Sequence, residues 1–348
     1  MKHVCFIGPY PPPYGGMAIQ MQTLAENFKK DGFRITLIKS NQDIPHMLRN
    51  LKGLRTIFNF IFYIRALFGN IPRADVVYIF ASSHLYFFLI VMPAVTFSSF
   101  CNKKSFVNYH GGAPQTFFSK FHPFVRYIMK QATITVPSDY LKEVIGEYLD
   151  LKAFIVPNIA HLNLFKYRER SPLKPYILCT RHFEHAYNIP CVIKAFRIIA
   201  ERKPGAKLGL VGEGKEKKKI VQLVEDLGLM DKVQFYGCLP NNELPDIYDK
   251  YSIFINASKM DNFPLSILEA YASGLPVVST NPGGIPYLVK DKETGLLVTK
   301  NDHLALAKQV IYLLDDPSLA LRMAKKARLE CEQYSWKMVR KILLELIG

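Results

Sequence analysis

Asp261-Asn-Phe-Pro-Leu-Ser-Ile-Leu-Glu-Ala-Tyr-Ala-Ser-Gly-Leu-Pro-Val-Val-Ser-Thr-Asn-Pro-Gly-Gly-Ile-Pro286 joins an acidic loop, a helix start, a second carboxylate, a buried strand and a glycine turn. Pro264 suits the first helical position, where a missing N–H costs nothing. The N–H groups of Leu265, Ser266 and Ile267 then point out of the helix end, where an anion sits well. Glu269 follows about one turn later, within reach of a ribose attached to that anion. Asp261, eight residues before Glu269, reads on local grounds as a solvated carboxylate favoured by the helix dipole. A nucleoside diphosphate fits this arrangement better than other common ligands.

Outward from this span, strands alternate with helices, the pattern of parallel sheets. In the first half, strands are expected at Val4–Gly8, Arg34–Ile38, Val76–Phe80, Ser105–Tyr109, Thr133–Val136 and Ala153–Val156, with a helix over about Met17–Lys30. The pattern restarts with strands at Tyr176–Thr180, Lys207–Val211, Val233–Tyr236, Ile253–Asn256 and Pro276–Ser279, and a helix at Pro190–Ala200. The expected fold is α/β: two doubly wound, Rossmann-like domains facing a cleft, 1–165 and 172–330. A basic linker with Lys166, Arg168, Arg170 and Lys174 joins them. Ligands of such sheets bind at the carboxyl ends of strands, so the loops there are the candidates.

The first such loop ends in Tyr14-Gly15-Gly16-Met17-Ala18 and enters a helix, which suits a phosphate and equally suits an ordinary turn. It lacks G-x-G-x-x-G, so a nicotinamide or flavin site is not supported. His110-Gly111-Gly112 follows the strand ending at Tyr109. Arg181 follows the first strand of the second half, and its guanidinium can grip a diphosphate bidentately. Gly212-Glu213-Gly214 ends the next strand and opens a lysine-rich helix that reads as a solvated face.

These motifs, in this order, resemble the signature of retaining nucleotide-sugar glycosyltransferases of the family 4 group, which have the two-domain GT-B fold. The resemblance covers nearly the whole chain. It implies that Gly15 and Gly16 approach the donor diphosphate and that His110 contacts the donor sugar or the charge developing at the anomeric carbon. It further implies that Gly212 and Gly214 line the nucleotide pocket, and that the loop at Cys238 and Leu239 holds the base. Asp261 takes the first acidic position of the motif, where the family usually has Glu, and would hydrogen-bond hydroxyls of the donor sugar, with Asn262 and Phe263 beside it on the donor. Leu265 and Ser266 would hold the diphosphate and Glu269 the ribose. Retention would come from front-face displacement, the departing phosphate taking the acceptor's proton, with no cofactor and no metal. A C-terminal helix at 334–348 would return to the first domain. One departure is plain: the family pairs its Arg with a Lys a few residues on, and here Ala186 or Tyr187 stands at that place.

Net charge is +16, and residues 1–170 carry 20 Lys+Arg against 9 Asp+Glu. A basic first half suits an anionic membrane surface or anionic acceptor; no nucleic-acid motif accompanies it. Met47 to Phe68 places Arg49, Lys52 and Arg55 on one side of a helical projection and Met47, Leu51, Leu54, Phe58 and Ile61 on the other. That suits an interfacial helix or an ordinary helix packed on the first sheet. The run Leu85–Val95 is too short to span a bilayer and reads as a core helix, and the start is too short in apolar residues for a signal peptide. Six cysteines without C-x-x-C pairing fit a reduced, cytoplasmic setting, with peripheral association at the inner face of the membrane. The expected partners are a nucleotide-sugar donor, most simply a UDP-hexose, and a lipid-linked or polysaccharide acceptor. A degenerate donor-binding protein and a nucleotide-sugar epimerase are the alternatives.

Overall fold

A computed structural model describes residues 1–12, 15–41 and 54–348. The expectations for Tyr14, Met47, Arg49, Leu51 and Lys52, and for the side chains of Leu54 and Arg55, fall outside the described residues. The chain divides into two compact units, Met1–Ile159 with Val339–Gly348, and Ala160–Met338.

The first unit runs β1 (His3–Gly8), α1 (Gly16–Lys30), β2 (Arg34–Lys39), α2 (Leu54–Asn70), β3 (Val76–Ala81), α3 (Met92–Phe100), β4 (Lys104–Tyr109), α4 (Pro114–Met129), β5 (Thr133–Val136), α5 (Asp139–Leu149) and β6 (Ala153–Ile155). Its strands form a six-stranded sheet in the order β2-β1-β3-β4-β5-β6, with every pair parallel. Because side chains alternate across a strand, Cys5, Ile7, Val77, Ile79 and Val107 face a core closed by helices. The other face is aromatic, with Phe6 5.6 Å from both Phe28 and Tyr78, ring centre to ring centre. Buried Gln20 on α1 exchanges two hydrogen bonds with the backbone of Ile159, 2.9 and 2.8 Å, which ties the chain after β6 to α1.

The second unit runs β7 (Tyr176–Thr180), α6 (Ile189–Arg202), β8 (Lys207–Val211), α7 (Lys217–Asp226), β9 (Val233–Gly237), α8 (Leu244–Lys250), β10 (Ile253–Asn256), α9 (Leu265–Ser273), β11 (Val277–Thr280), α10 (Ile285–Leu288), β12 (Leu296–Val298), α11 (His303–Asp315) and α12 (Pro317–Cys331). The last helix, α13 (Trp336–Ile347), starts in this unit and from Val339 belongs to the first. The sheet order is β12-β11-β10-β7-β8-β9, again parallel. The strand order reverses between β7 and β10. Such a reversal opens a crevice at the carboxyl ends of the two strands, and Arg181 and Asp261 follow those strands.

One local expectation is refined and another corrected. The run Leu85–Val95 is helical as expected, with Phe87, Ile90, Val91, Ala94 and Val95 in the core; its turn Phe87–Val91 is π-helical and passes into α3, and Leu85 is exposed. Pro264 is the residue before α9, with extended backbone (φ −72°, ψ 110°), and the helix begins at Leu265. Its carbonyl accepts the Ile267 N–H at 3.2 Å, a tightened first turn, so that N–H is not available to a ligand.

Candidate functional site

The crevice of the second unit is built on β7 and β10. Arg181 leaves β7 with its side chain turned to the β10 loop. Its Nη2 lies 2.7 Å from Asp261 Oδ2, the two side chains being 10% and 12% exposed. Its Nε donates to Asn256 Oδ1 at 3.1 Å, and its guanidinium stacks over the Tyr187 ring at 5.1 Å. Asn256 is held in turn, accepting from Ser258 Oγ (2.8 Å) and donating to Ser279 Oγ (2.9 Å). Burial works against the Arg181 charge, yet Asp261, together with Tyr187, Cys179 and Tyr248, outweighs it and keeps the guanidinium pKa above its ordinary value. Burial raises the Asp261 carboxyl, opposed by Arg181 and by backbone N–H groups of Phe263 and Asn262. Asp261 Oδ1 accepts the Phe263 N–H at 3.3 Å, which folds the acidic loop back on itself. Asp261 therefore orients Arg181 and shapes its own loop.

Glu269 sits one turn into α9. Its Oε2 accepts the Tyr248 hydroxyl at 2.7 Å. That hydroxyl also lies 2.7 Å from Thr180 Oγ1 and 3.2 Å from the Ser266 carbonyl. One buried phenol thus ties the end of β7 to the start of α9. Burial raises the Glu269 pKa, and the Tyr248 hydrogen bond and Arg181 pull the other way. Beside it, the Ser266 hydroxyl is buried, 7% exposed, and finds no hydrogen-bond partner. This buried hydroxyl and the Leu265 and Ser266 N–H groups are donors gathered at the positive end of a helix, an arrangement suited to an anion.

The β8 and β9 ends complete the rim. Arg181 N–H donates to Val211 O (2.9 Å) and Gly212 N–H to Gly237 O (2.8 Å), so Arg181, Gly212 and Cys238 follow three strand ends sewn together. Gly212 has φ +150°, and a Cβ there would collide with the Arg181 carbonyl; only glycine fits. Gly214 lies against the Phe183 carbonyl. Cys238 is exposed, and Leu239 packs half-buried on the core below α8 and α9. Gly284 N–H donates to Asp261 O at 2.9 Å, and a Cβ on Gly284 would overlap the Asn262 carbonyl. The glycine turn after β11 is therefore the back wall of the acidic loop. Phe263 anchors the loop from the other side, 5.3 Å from the Tyr334 ring.

In the first unit, His110 follows β4, its N–H donating to Ala81 O at 2.8 Å and its ring stacked 5.9 Å from Phe80. Burial lowers its pKa to about 4, so the ring is neutral at physiological pH. Gly15 and Gly16 start α1, and a Cβ on either would meet nothing within 4 Å. Among the described residues, packing does not demand glycine at those two positions. Sequence reasoning missed Tyr248, Asn256 and Ser258, which stand in apolar strand or helix runs and announce no chemistry. Tyr187, one of the two residues near the place expected for the family lysine, supports Arg181 with its ring. No group of three or more His, Cys, Asp or Glu able to hold a metal ion occurs among the described residues.

Residues 164–330, most of the second unit, match the family described as Glycosyl transferases group 1. The fold class is GT-B, two Rossmann-like domains. Over 174 residues the chain is 32% identical to a protein of Haemophilus influenzae named an uncharacterized glycosyltransferase, 49% of this chain and 48% of that protein. The chain thus spans about half the length of that curated relative. Among solved structures, a sucrose-phosphate synthase from Thermosynechococcus elongatus superposes with a TM-score of 0.79 at 19% identity, over 99% of this chain and 98% of that one. HepE from Anabaena, in complex with UDP-glucose, superposes with a TM-score of 0.76 at 16% identity, over 99% of each chain. These two likenesses are of fold.

Proposed function

We propose that this protein is a retaining glycosyltransferase that moves a hexose-type sugar from a nucleoside diphosphate donor, UDP before GDP, to a hydroxyl of a lipid-linked or polysaccharide acceptor in the making of cell-surface polysaccharide. The observation that carries the reading is the orphan Ser266 hydroxyl at the start of α9, flanked by Glu269 and by the Arg181–Asp261 pair at the point of strand reversal. The match of residues 164–330 and the UDP-glucose bound to HepE support it. The Leu265 and Ser266 N–H groups and the Ser266 hydroxyl hold the diphosphate. Glu269 accepts from the ribose, and Arg181 offsets charge on the departing nucleotide. Asp261 aims Arg181, and the neutral His110 offers a donor or acceptor to the sugar. These residues supply position and fixed charge, the contributions that a displacement with its own phosphate as base requires.

A second reading has one observation in its favour. Arg181 already carries Asp261 as counter-ion, and an aromatic ring stands where a second cation is expected. A protein that binds sugar nucleotides without transferring them fits that charge count. Nucleotide release and binding across UDP- and GDP-sugars, for wild type and Glu269→Ala, tests both. Slow release from one donor, lost in the variant, supports the transferase; binding without release, acceptors included, supports the second reading. No binding to any donor overturns both.

A further inference from the structure

The helices α2, α3 and α4 close one face of the first sheet and carry apolar side chains on their outer surface as well. On α2 the positions i, i+4, i+8 and i+11 are Ile57, Ile61, Arg65 and Phe68. The three apolar members are more than half exposed, while Tyr63 and Leu67 on the inner side are sealed. A helix apolar all round is normally enclosed on all sides. Phe68 lies 4.3 Å from Phe97 of α3, which stacks 6.4 Å from Phe100, so the two helices share an outer aromatic surface. Phe100, at the end of α3, is 82% exposed. On α4 the break at Phe121 and Pro123 turns Phe124 and Tyr127 outward. Lys120 and Lys130 sit over the rings of Phe121 and Tyr127, 5.4 Å each. Exposed apolar surface on this scale marks an interaction site.

Charge selects the occupant. Residues 44–138 contain ten Lys+Arg and a single acidic residue, Asp75; among the described residues of these helices Arg65, Lys120 and Lys130 are exposed, and Arg126 lies 3.2 Å from Asp150. A second copy docked on the same face would set cations against cations, which disfavours pairing. Aromatic and aliphatic side chains interleaved with Lys and Arg suit the headgroup region, where the rings sit below the phosphates and the cations beside them. No helix among the described residues is long and apolar enough to cross a membrane. We infer that the outer face of α2, α3 and α4 docks on the surface of an anionic lipid bilayer, lying in the interface. This inference does not depend on the nucleotide site.

The test is co-sedimentation of the full chain with vesicles of phosphatidylcholine alone and of equal parts phosphatidylcholine and phosphatidylglycerol, with no nucleotide sugar present. Binding to the anionic vesicles alone, weakened by salt, is expected. Each Lys or Arg near an anionic surface strengthens binding roughly fivefold, so Lys120→Glu with Lys130→Glu lowers it by roughly twentyfold or more. Ile61→Ser with Phe100→Ser and Phe124→Ser lowers it roughly tenfold or more. Leu329→Ser, an equally exposed apolar site in the second unit, leaves it unchanged. No binding, equal binding to both vesicles, or wild-type binding by the triple variant overturns the proposal. So does a wild-type dimer that the triple variant dissociates, which would assign the face to a second copy.

Discussion

A buried carboxylate is costly unless donors surround it, and the two acidic residues of the site are provided for unequally. Asp261 has a guanidinium and a loop N–H; Glu269 has the Tyr248 hydroxyl and the more distant pull of Arg181. Burial raises the Glu269 pKa above its ordinary 4.5, so the folded state binds that proton more tightly than the unfolded chain. Its contribution to stability is full below pH 4.5 and is lost as pH rises through the folded value. Glu269→Gln cannot ionise. Its thermal midpoint should therefore exceed that of wild type at neutral pH, the gap closing on acidification below the carboxylate range, while nucleotide affinity falls. A variant penalised most at neutral pH would show instead that the ionised carboxylate stabilises the fold. His110 has the opposite sign. Its pKa falls from 6.5 to about 4 on burial, so its contribution is present above pH 6.5 and is lost as pH drops from there toward 4. At about 1.4 kcal/mol per pH unit, wild type loses at most about 3 kcal/mol through this group. Urea midpoints for wild type and His110→Gln, taken at neutral and mildly acid pH, should converge on the acid side if that account holds.

At the scale of elements, β7, α8, the acidic loop and α9 are held in register by few atoms. The Tyr248 hydroxyl reaches Thr180, Ser266 and Glu269, so Tyr248→Phe leaves Glu269 without its hydrogen bond at no cost in volume. Stability should fall by about 1–3 kcal/mol, with a rise in donor KM larger than the fall in kcat; an unchanged KM would show that Glu269 is placed by its helix alone. Gly284→Ala pushes a methyl into the Asn262 carbonyl, and overpacking of this kind costs about 1–3 kcal/mol. Because the collision lies behind Asp261, nucleotide titration should show weakened binding in protein whose far-ultraviolet spectrum is native. Unaltered affinity would mean the loop absorbs the shift. Neither contact was legible in the residues, since Tyr248 and Thr180 are far apart in the chain and nothing in Gly283-Gly284 says which backbone it abuts. The helix start itself was legible because proline and a following Glu are local signals. The tightened first turn, which uses the Ile267 N–H, was not.

For the whole molecule, the alternation of apolar runs and helices showed that both sheets are parallel, since strands covered on both faces are apolar throughout, while the strand order came from the structure. Residues Leu296–Val298, too short to stand out beside Gly295, form β12 at a sheet edge without such a signal. Burial without periodicity likewise concealed the π-turn at Phe87–Val91. The end of the chain carries the remaining consequence. From Val339 onward α13 belongs to the first unit. It buries Val339, Leu343 and Ile347. Its Arg340 Nε lies 2.6 Å from Asp31 Oδ2 beyond α1, and Lys104 Nζ at the start of β4 donates to Ile347 O at 3.1 Å. The surface ion pair adds little, so the buried stripe does the holding. Leu343→Ala should cost the first unit about 2–5 kcal/mol, and the loss should be confined to it because the second unit has its own cores. Hydrogen exchange reads this directly: amides of α1, β1 and β4 should lose protection while those of β7, β10 and α9 keep theirs. Loss of protection in both units together would show that they unfold as one, and that the last ten residues stabilise the molecule as a single cooperative body.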